Sequence, residues 1–96
     1  YGGEEFLILI RDLDIILAKS VGERIRRQLE KQRLSIGSGE DKKRVTVSCG
    51  IAQYPRHSTD INRVIEYADK ALYYAKETGK NNIAVFDRLM ETDDYP

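Results

Sequence analysis

The chain has 96 residues, 41% of them apolar and 33% charged, which is enough for one domain and the composition of a globular protein. Sixteen basic residues balance sixteen acidic ones. No global charge therefore favours a nucleic-acid or membrane partner, and no apolar run reaches the ~18–20 residues of a membrane span. The single cysteine, Cys49, excludes an internal disulfide and fits a reducing, cytoplasmic setting.

The sequence opens on Tyr1-Gly2-Gly3 and enters an apolar segment almost at once, as expected of a piece of a longer protein. Glu5 to Ile10 is a short continuous apolar run, the pattern of a strand buried on both faces. Asp12 or Asp14 is placed to cap a helix over about 15–32. Ala18, Val21, Ile25 and Leu29 form its apolar stripe, with Gly22 beside them allowing close packing. Lys19, Glu23, Arg26, Arg27 and Glu30 are expected to face solvent. Gly37 to Lys43 combines glycine, serine and charge, the composition of a mobile loop.

Val45 to Ala52 alternates. Val45, Val47, Cys49 and Ile51 share one face, and only the small residues Thr46, Ser48, Gly50 and Ala52 share the other. A helix or a ligand must come close to that second face. Cys49 lies among apolar neighbours and reads as a core residue rather than a nucleophile. The second helix is expected over 60–78, capped by Thr59 or Asp60, with a stripe of Ile61, Val64, Ile65, Ala68, Leu72 and Ala75, and Gly79 as its stop. Tyr67, Tyr73 and Tyr74 fit partly buried packing better than a base-stacking platform. Asn82 to Phe86 is a last strand, and residues 89–96 form a polar tail after a unit spanning 1–88. The order strand–helix–strand–helix–strand implies an α/β fold with helices packed on a sheet.

Gly2-Gly3-Glu4-Glu5-Phe6 carries the chemistry. Two glycines allow a tight turn and the close approach of a ligand to the backbone. A carboxylate at the mouth of a buried strand is well placed to hold Mg²⁺ beside a phosphate. Taken alone, the same residues also suit a solvated turn with two surface acids. Lys76, in the last turn of a helix, and Lys80, just after it, complement the helix dipole whether or not they bind anything.

Three stretches in order resemble the GGDEF family, from Tyr1 to about Phe86. Gly2-Gly3-Glu4-Glu5-Phe6 matches its signature loop. Val45-Thr46-Val47-Ser48-Cys49-Gly50-Ile51-Ala52 is similar to its Val-Thr-Val-Ser-Ile-Gly-Ile-Ala strand. Ala68-Asp69-Lys70-Ala71-Leu72-Tyr73-Tyr74-Ala75-Lys76 resembles its late helix, and Gly79-Lys80-Asn81 the Gly-Arg-Asn turn that follows.

The resemblance implies a GGDEF fold, a sandwich related to the ferredoxin-like palm of nucleotide cyclases, without the first strand and helices that precede the signature. Those elements carry the family's metal-binding Asp and guanine-reading residues, and the inhibitory Arg-x-x-Asp motif also lies upstream. The implied reaction is diguanylate cyclase chemistry: two GTP condense into cyclic di-GMP and two pyrophosphates, each GTP held by one of two facing domains. The implied roles are Glu4 as metal ligand and proton acceptor, Glu5 as a second candidate acid, and Gly2 and Gly3 against the nucleotide. Lys76 and Lys80 would hold its phosphates, and Arg24 a secondary product site. Mg²⁺ or Mn²⁺ is the implied cofactor, and a sensor or receiver domain the implied upstream partner. This chain alone is expected to be inactive. The alternative is a silent module that binds GTP or cyclic di-GMP as a sensor.

Overall fold

The computed structural model describes residues 14–31, 33–35, 42–44 and 46–91. The strand expected over Glu5–Ile10 lies outside the described residues. The described elements run α1 (Ile15–Lys31), β1 (Arg33–Ser35), β2 (Lys42–Arg44), β3 (Cys49–Ile51), α2 (Ile61–Glu77), β4 (Ile83–Val85) and a 3₁₀ turn (Arg88–Glu91). They make an α/β arrangement. β3 and β4 pair in parallel, with Gly50 opposite Ala84, and α2 is the crossover between them.

Both helices start where carboxylates cap them. Asp14 Oδ1 accepts from the backbone N–H of Ile16 at 2.6 Å and of Leu17 at 3.3 Å. Asp60 Oδ1 accepts from Asn62 N–H at 3.0 Å. Each satisfies a donor that the first helical turn leaves without a partner. α2 then buries Val64, Tyr67, Ala71 and Ala75, while Ile61, the first residue of the expected stripe, is exposed. The core is completed by Ala84, Phe86 and Met90.

The small-residue face of β3 is explained by α2. A Cβ on Gly50 would lie 2.2 Å from both Ala68 O and Leu72 N, so the helix backbone rests directly on the strand. The approach left open between helix and ligand is made by the helix.

Four readings change. Among the described residues of the strand expected over Val45–Ala52, only Cys49–Ile51 are strand, because the partner begins only after a left-handed turn at 79–81. The ladder is bounded by Cys49 N–H to Asn82 O at 3.0 Å and Phe86 N–H to Ile51 O at 2.8 Å. Lys42 and Lys43, expected in a loop, belong to an antiparallel hairpin in which Leu34 pairs with Lys43.

The inward face of α1 is also rotated from the expected stripe. Gly22 abuts Ile83, whose Cδ1 would sit 3.4 Å from an added Cβ, and Ala18 and Leu29 are half-buried. Val21 and Ile25 are exposed at 41% and 42%. Arg26 takes the inward position instead, with its side chain only 16% exposed. Finally, the residues at the start of the polar tail form the 3₁₀ turn, which buries Met90 in the core.

Candidate functional site

The C-terminal end of α2 brings together two of the described candidate residues. Lys76 lies in the last helical turn and Lys80 in the turn that follows, and both are exposed. Gly79 has φ +125°, Lys80 +59° and Asn81 +49°, so three successive residues occupy positive φ. Glycine adopts this region without strain and asparagine tolerates it, whereas lysine does so only when held. Nothing lies within 4 Å of a Cβ built on Gly79, so the glycine serves conformation, not space.

The helix closes as a Schellman motif. Lys80 N–H donates to Ala75 O at 3.1 Å and Gly79 N–H makes a longer contact to Lys76 O at 3.5 Å. Thr78 adds its N–H and its hydroxyl to Tyr74 O, at 3.0 and 2.8 Å. The Tyr74, Ala75 and Lys76 carbonyls thus accept from backbone N–H groups, that of Lys80 among them, and from the Thr78 hydroxyl. Two cations remain beside the negative end of the helix dipole.

Next to Lys80, Asn81 is tied to two other elements. Its backbone N–H donates to Ser48 Oγ at 3.1 Å, just before β3. Its side-chain Oδ1 accepts from Arg26 Nη1 at 3.3 Å, and its Nδ2 donates to Glu30 Oε2. Arg26 Nη1 also reaches Glu30 Oε2 at 3.2 Å, and the other side of the guanidinium grips Glu23 through Nε–Oε1 at 2.9 Å and Nη2–Oε2 at 3.2 Å. The hydrogen bond from Arg26 holds the Glu23 carboxyl below its ordinary range, and the same bond raises Arg26. This network is absent from the sequence reading, which placed Glu23, Arg26 and Glu30 in solvent. The available signal was the asparagine after Gly79-Lys80, a residue that tolerates positive φ and offers both a donor and an acceptor.

The other expected residues fall elsewhere. Arg24 stands on the exposed side of α1, along a shallow groove with Lys19, Arg27 and Lys31. It is not brought to the end of α2. Gly2, Gly3, Glu4 and Glu5 lie outside the described residues. No group of three or more His, Cys, Asp or Glu among the described residues could hold a metal ion, and no described helix is long and apolar enough to cross a membrane.

Tyr67 is packed rather than presented to a base. Its ring stacks on Phe86 at 4.2 Å and 10°, and the Arg88 guanidinium lies 5.1 Å from its centroid. Arg88 also donates through Nη2 to His57 O. His57 accepts the Gln53 N–H on Nδ1 at 2.8 Å and meets Phe86 edge-on at 5.3 Å. Burial, then the nearby Arg56 and Arg88 charges, lower its pKa. Burial pushes the Cys49 thiol up, away from nucleophilic use.

Comparison with known proteins bears on the same residues. The family model "Diguanylate cyclase, GGDEF domain" matches residues 1–82. Diguanylate cyclase A of Treponema denticola is 36% identical over 85 residues, covering 88% of this chain and 22% of that protein. The probable diguanylate cyclase DgcT of Escherichia coli is 38% identical over 86 residues, covering 90% of this chain and 19% of that protein. The chain thus spans about a fifth of the length of these curated relatives. Among solved structures, the GGDEF domain of DgcB from Caulobacter crescentus, in complex with c-di-GMP, superposes with a TM-score of 0.65 at 27% identity. That match covers 83% of this chain and 43% of the DgcB chain. On the family match over most of its length, joined to the fold just described, this chain belongs to the GGDEF family.

Proposed function

We propose that this chain contributes the signature loop and a phosphate-holding helix end to a diguanylate cyclase domain. The reaction is the condensation of two GTP into cyclic di-GMP with release of two pyrophosphates. In each half-reaction the 3′-oxygen of one nucleotide bonds to the α-phosphorus of the other. The bond from that phosphorus to the pyrophosphate oxygen breaks, and the 3′-hydroxyl proton leaves to a base. By position in the signature, Glu4 is that base and the protein ligand of Mg²⁺ or Mn²⁺, with Glu5 a second acid near it. The bound ion would neutralise charge on the phosphates. Gly2 and Gly3 would let the nucleotide lie against the backbone.

The observation that carries the proposal is the end of α2. Lys76 and Lys80 stand there, exposed, on a closed helix terminus and a left-handed turn whose capping bonds use backbone groups and the Thr78 hydroxyl, and correspond to the family's basic pair. An ammonium is a point charge, so Lys80 would hold a phosphate without the two-pronged grip of an arginine.

Two facing copies of the domain would each bring one GTP, a sensor or receiver domain upstream would control their encounter, and the GTP substrate places the reaction in the cytoplasm. The chain by itself is expected to yield no product. Arg24, on its exposed helix face, would meet product bound between domains. Lysine at position 80, where the family more often has arginine, favours a second reading, a module that binds GTP or cyclic di-GMP without turnover. Measuring cyclic di-GMP formed by the intact parent protein and by its Glu4→Ala variant separates the two. A cyclase loses its output on substitution, and a sensor has none to lose.

A further inference from the structure

The turn that carries Lys80 is held by a residue far from it in sequence. We propose that Arg26 is a positioning residue for Lys80: with Glu30 it clamps Asn81 and thereby fixes the left-handed turn that aims the lysine. The inference rests on the phosphate-binding reading of Lys80.

Lys80 and Asn81 both have positive φ, a conformation that a lysine leaves readily unless its neighbours prevent it. On the helix side the Schellman bonds hold the turn, ending at Lys80 N–H. On the other side the side-chain grips among the described contacts are Ser48 Oγ on the Asn81 N–H, Asn82 Nδ2 on Thr78 Oγ1 at 3.3 Å, and the closed triangle of Arg26, Glu30 and Asn81, in which Arg26 Nη1 also meets the Asn81 carbonyl at 3.5 Å. Arg26 Nη1 reaches Asn81 Oδ1, Asn81 Nδ2 reaches Glu30 Oε2, and that oxygen also accepts from Arg26. Every polar atom of the Asn81 amide is used, so its orientation is specified rather than merely permitted.

The guanidinium is itself held. Glu23 accepts from it at two nitrogens, in the fork geometry that lysine cannot reproduce. Gly22 brings α1 against Ile83 and so sets the distance from which Arg26 reaches the turn. Arg24, two positions earlier, is exposed and on a different side of the helix. Loss of Arg26 would leave the Asn81 amide oxygen without its donor and Glu30 without the guanidinium that holds it, with only the Nδ2–Glu30 bond left on the side chain, and the lysine would sample several directions. A preorganised cation binds a phosphate more tightly than one that must be ordered on binding.

The test uses the 96-residue chain, with inorganic tripolyphosphate as the probe. Arg26→Ala and Arg26→Lys are compared with wild type, with Arg24→Ala as a neighbouring control and Lys80→Ala as the binding control. Residue-resolved amide exchange reads the turn at Lys80 and Asn81, and Ala71 and Ala75 in α2 report whether the core is intact. Both Arg26 variants should speed exchange at Lys80 and Asn81 at least tenfold, leave Ala71 and Ala75 protected, and weaken tripolyphosphate at least fivefold. Arg24→Ala should leave the exchange unchanged. If Arg26→Ala loses core protection, the lysine variant, which keeps stem and charge, decides. Wild-type exchange at the turn in Arg26→Lys, or a loosened turn with wild-type affinity, overturns the positioning role. Absence of any Lys80-dependent binding by the wild-type chain is a distinct result, which overturns the phosphate reading and the role that rests on it.

Discussion

Gly50 and Leu72 touch through their backbones. A methyl group on Gly50 would sit 2.2 Å from the Leu72 nitrogen, a distance no side chain can relieve. Gly50→Ala must therefore push α2 off β3, and such overpacking costs about 3 kcal/mol. The prediction is a large drop in the urea midpoint, with Gly22→Ala, whose added methyl would meet the Ile83 side chain at ordinary contact distances of 3.4–3.8 Å, far milder. Equal midpoints for the two variants would contradict the contact.

Arg88 lies over two stacked rings, 5.1 Å from Tyr67 and 5.4 Å from Phe86, and donates to His57 O. Arg88→Ala removes a cation–π contact and that bond, a loss of about 1–2 kcal/mol. Arg88→Lys should keep part of it. Thermal unfolding of the two variants checks the ranking.

His57 has a folded pKa below its ordinary 6.5, chiefly from burial and secondarily from Arg56 and Arg88, with Asp87 opposing them. The unfolded chain therefore binds the proton more readily than the folded one. The stability this neutral histidine contributes is complete above pH 6.5 and is lost as pH falls through the lowered folded value. Unfolding midpoints should decline across that window, and His57→Gln should flatten the decline. An unchanged slope in the variant would assign the acid sensitivity to other groups.

Lys80 caps the helix through its backbone N–H, and its side chain stands exposed in the turn. Lys80→Ala should cost roughly tenfold in triphosphate affinity, the scale of one hydrogen bond to a charged group. Lys80→Arg should bind at least as tightly as wild type, since its fork suits phosphate oxygens. Calorimetric titration of the variants measures this, and indifference to Lys80→Ala would remove the lysine from the site.

The long elements were legible because local chemistry announces them. Asp60 and Gly79 bracket α2, and the small face of Thr46, Ser48, Gly50 and Ala52 told that a close neighbour was required. What was missed depends on distant partners. Arg26 looked like any charged helical residue, since nothing in its own turn marks the asparagine it meets 55 positions later. The hairpin of β1 and β2 was hidden because Lys42-Lys43-Arg44 has no apolar alternation. Met90 lies next to an exposed Leu89 and just before an acidic run, which disguised its burial. At the candidate site, Lys76 and Lys80 were legible through their motif, not their charge, while Gly2 to Glu5 fall outside the described residues.

Mass spectrometry of cyclic di-GMP formed from GTP and Mg²⁺ by the intact parent protein, with and without Glu4→Ala, tests the central claim most directly. The account predicts product from the parent, none after the substitution, and none from the 96-residue chain alone. Undiminished product from the Glu4→Ala protein would contradict it, because the signature carboxylate would then have no part in the chemistry assigned to it.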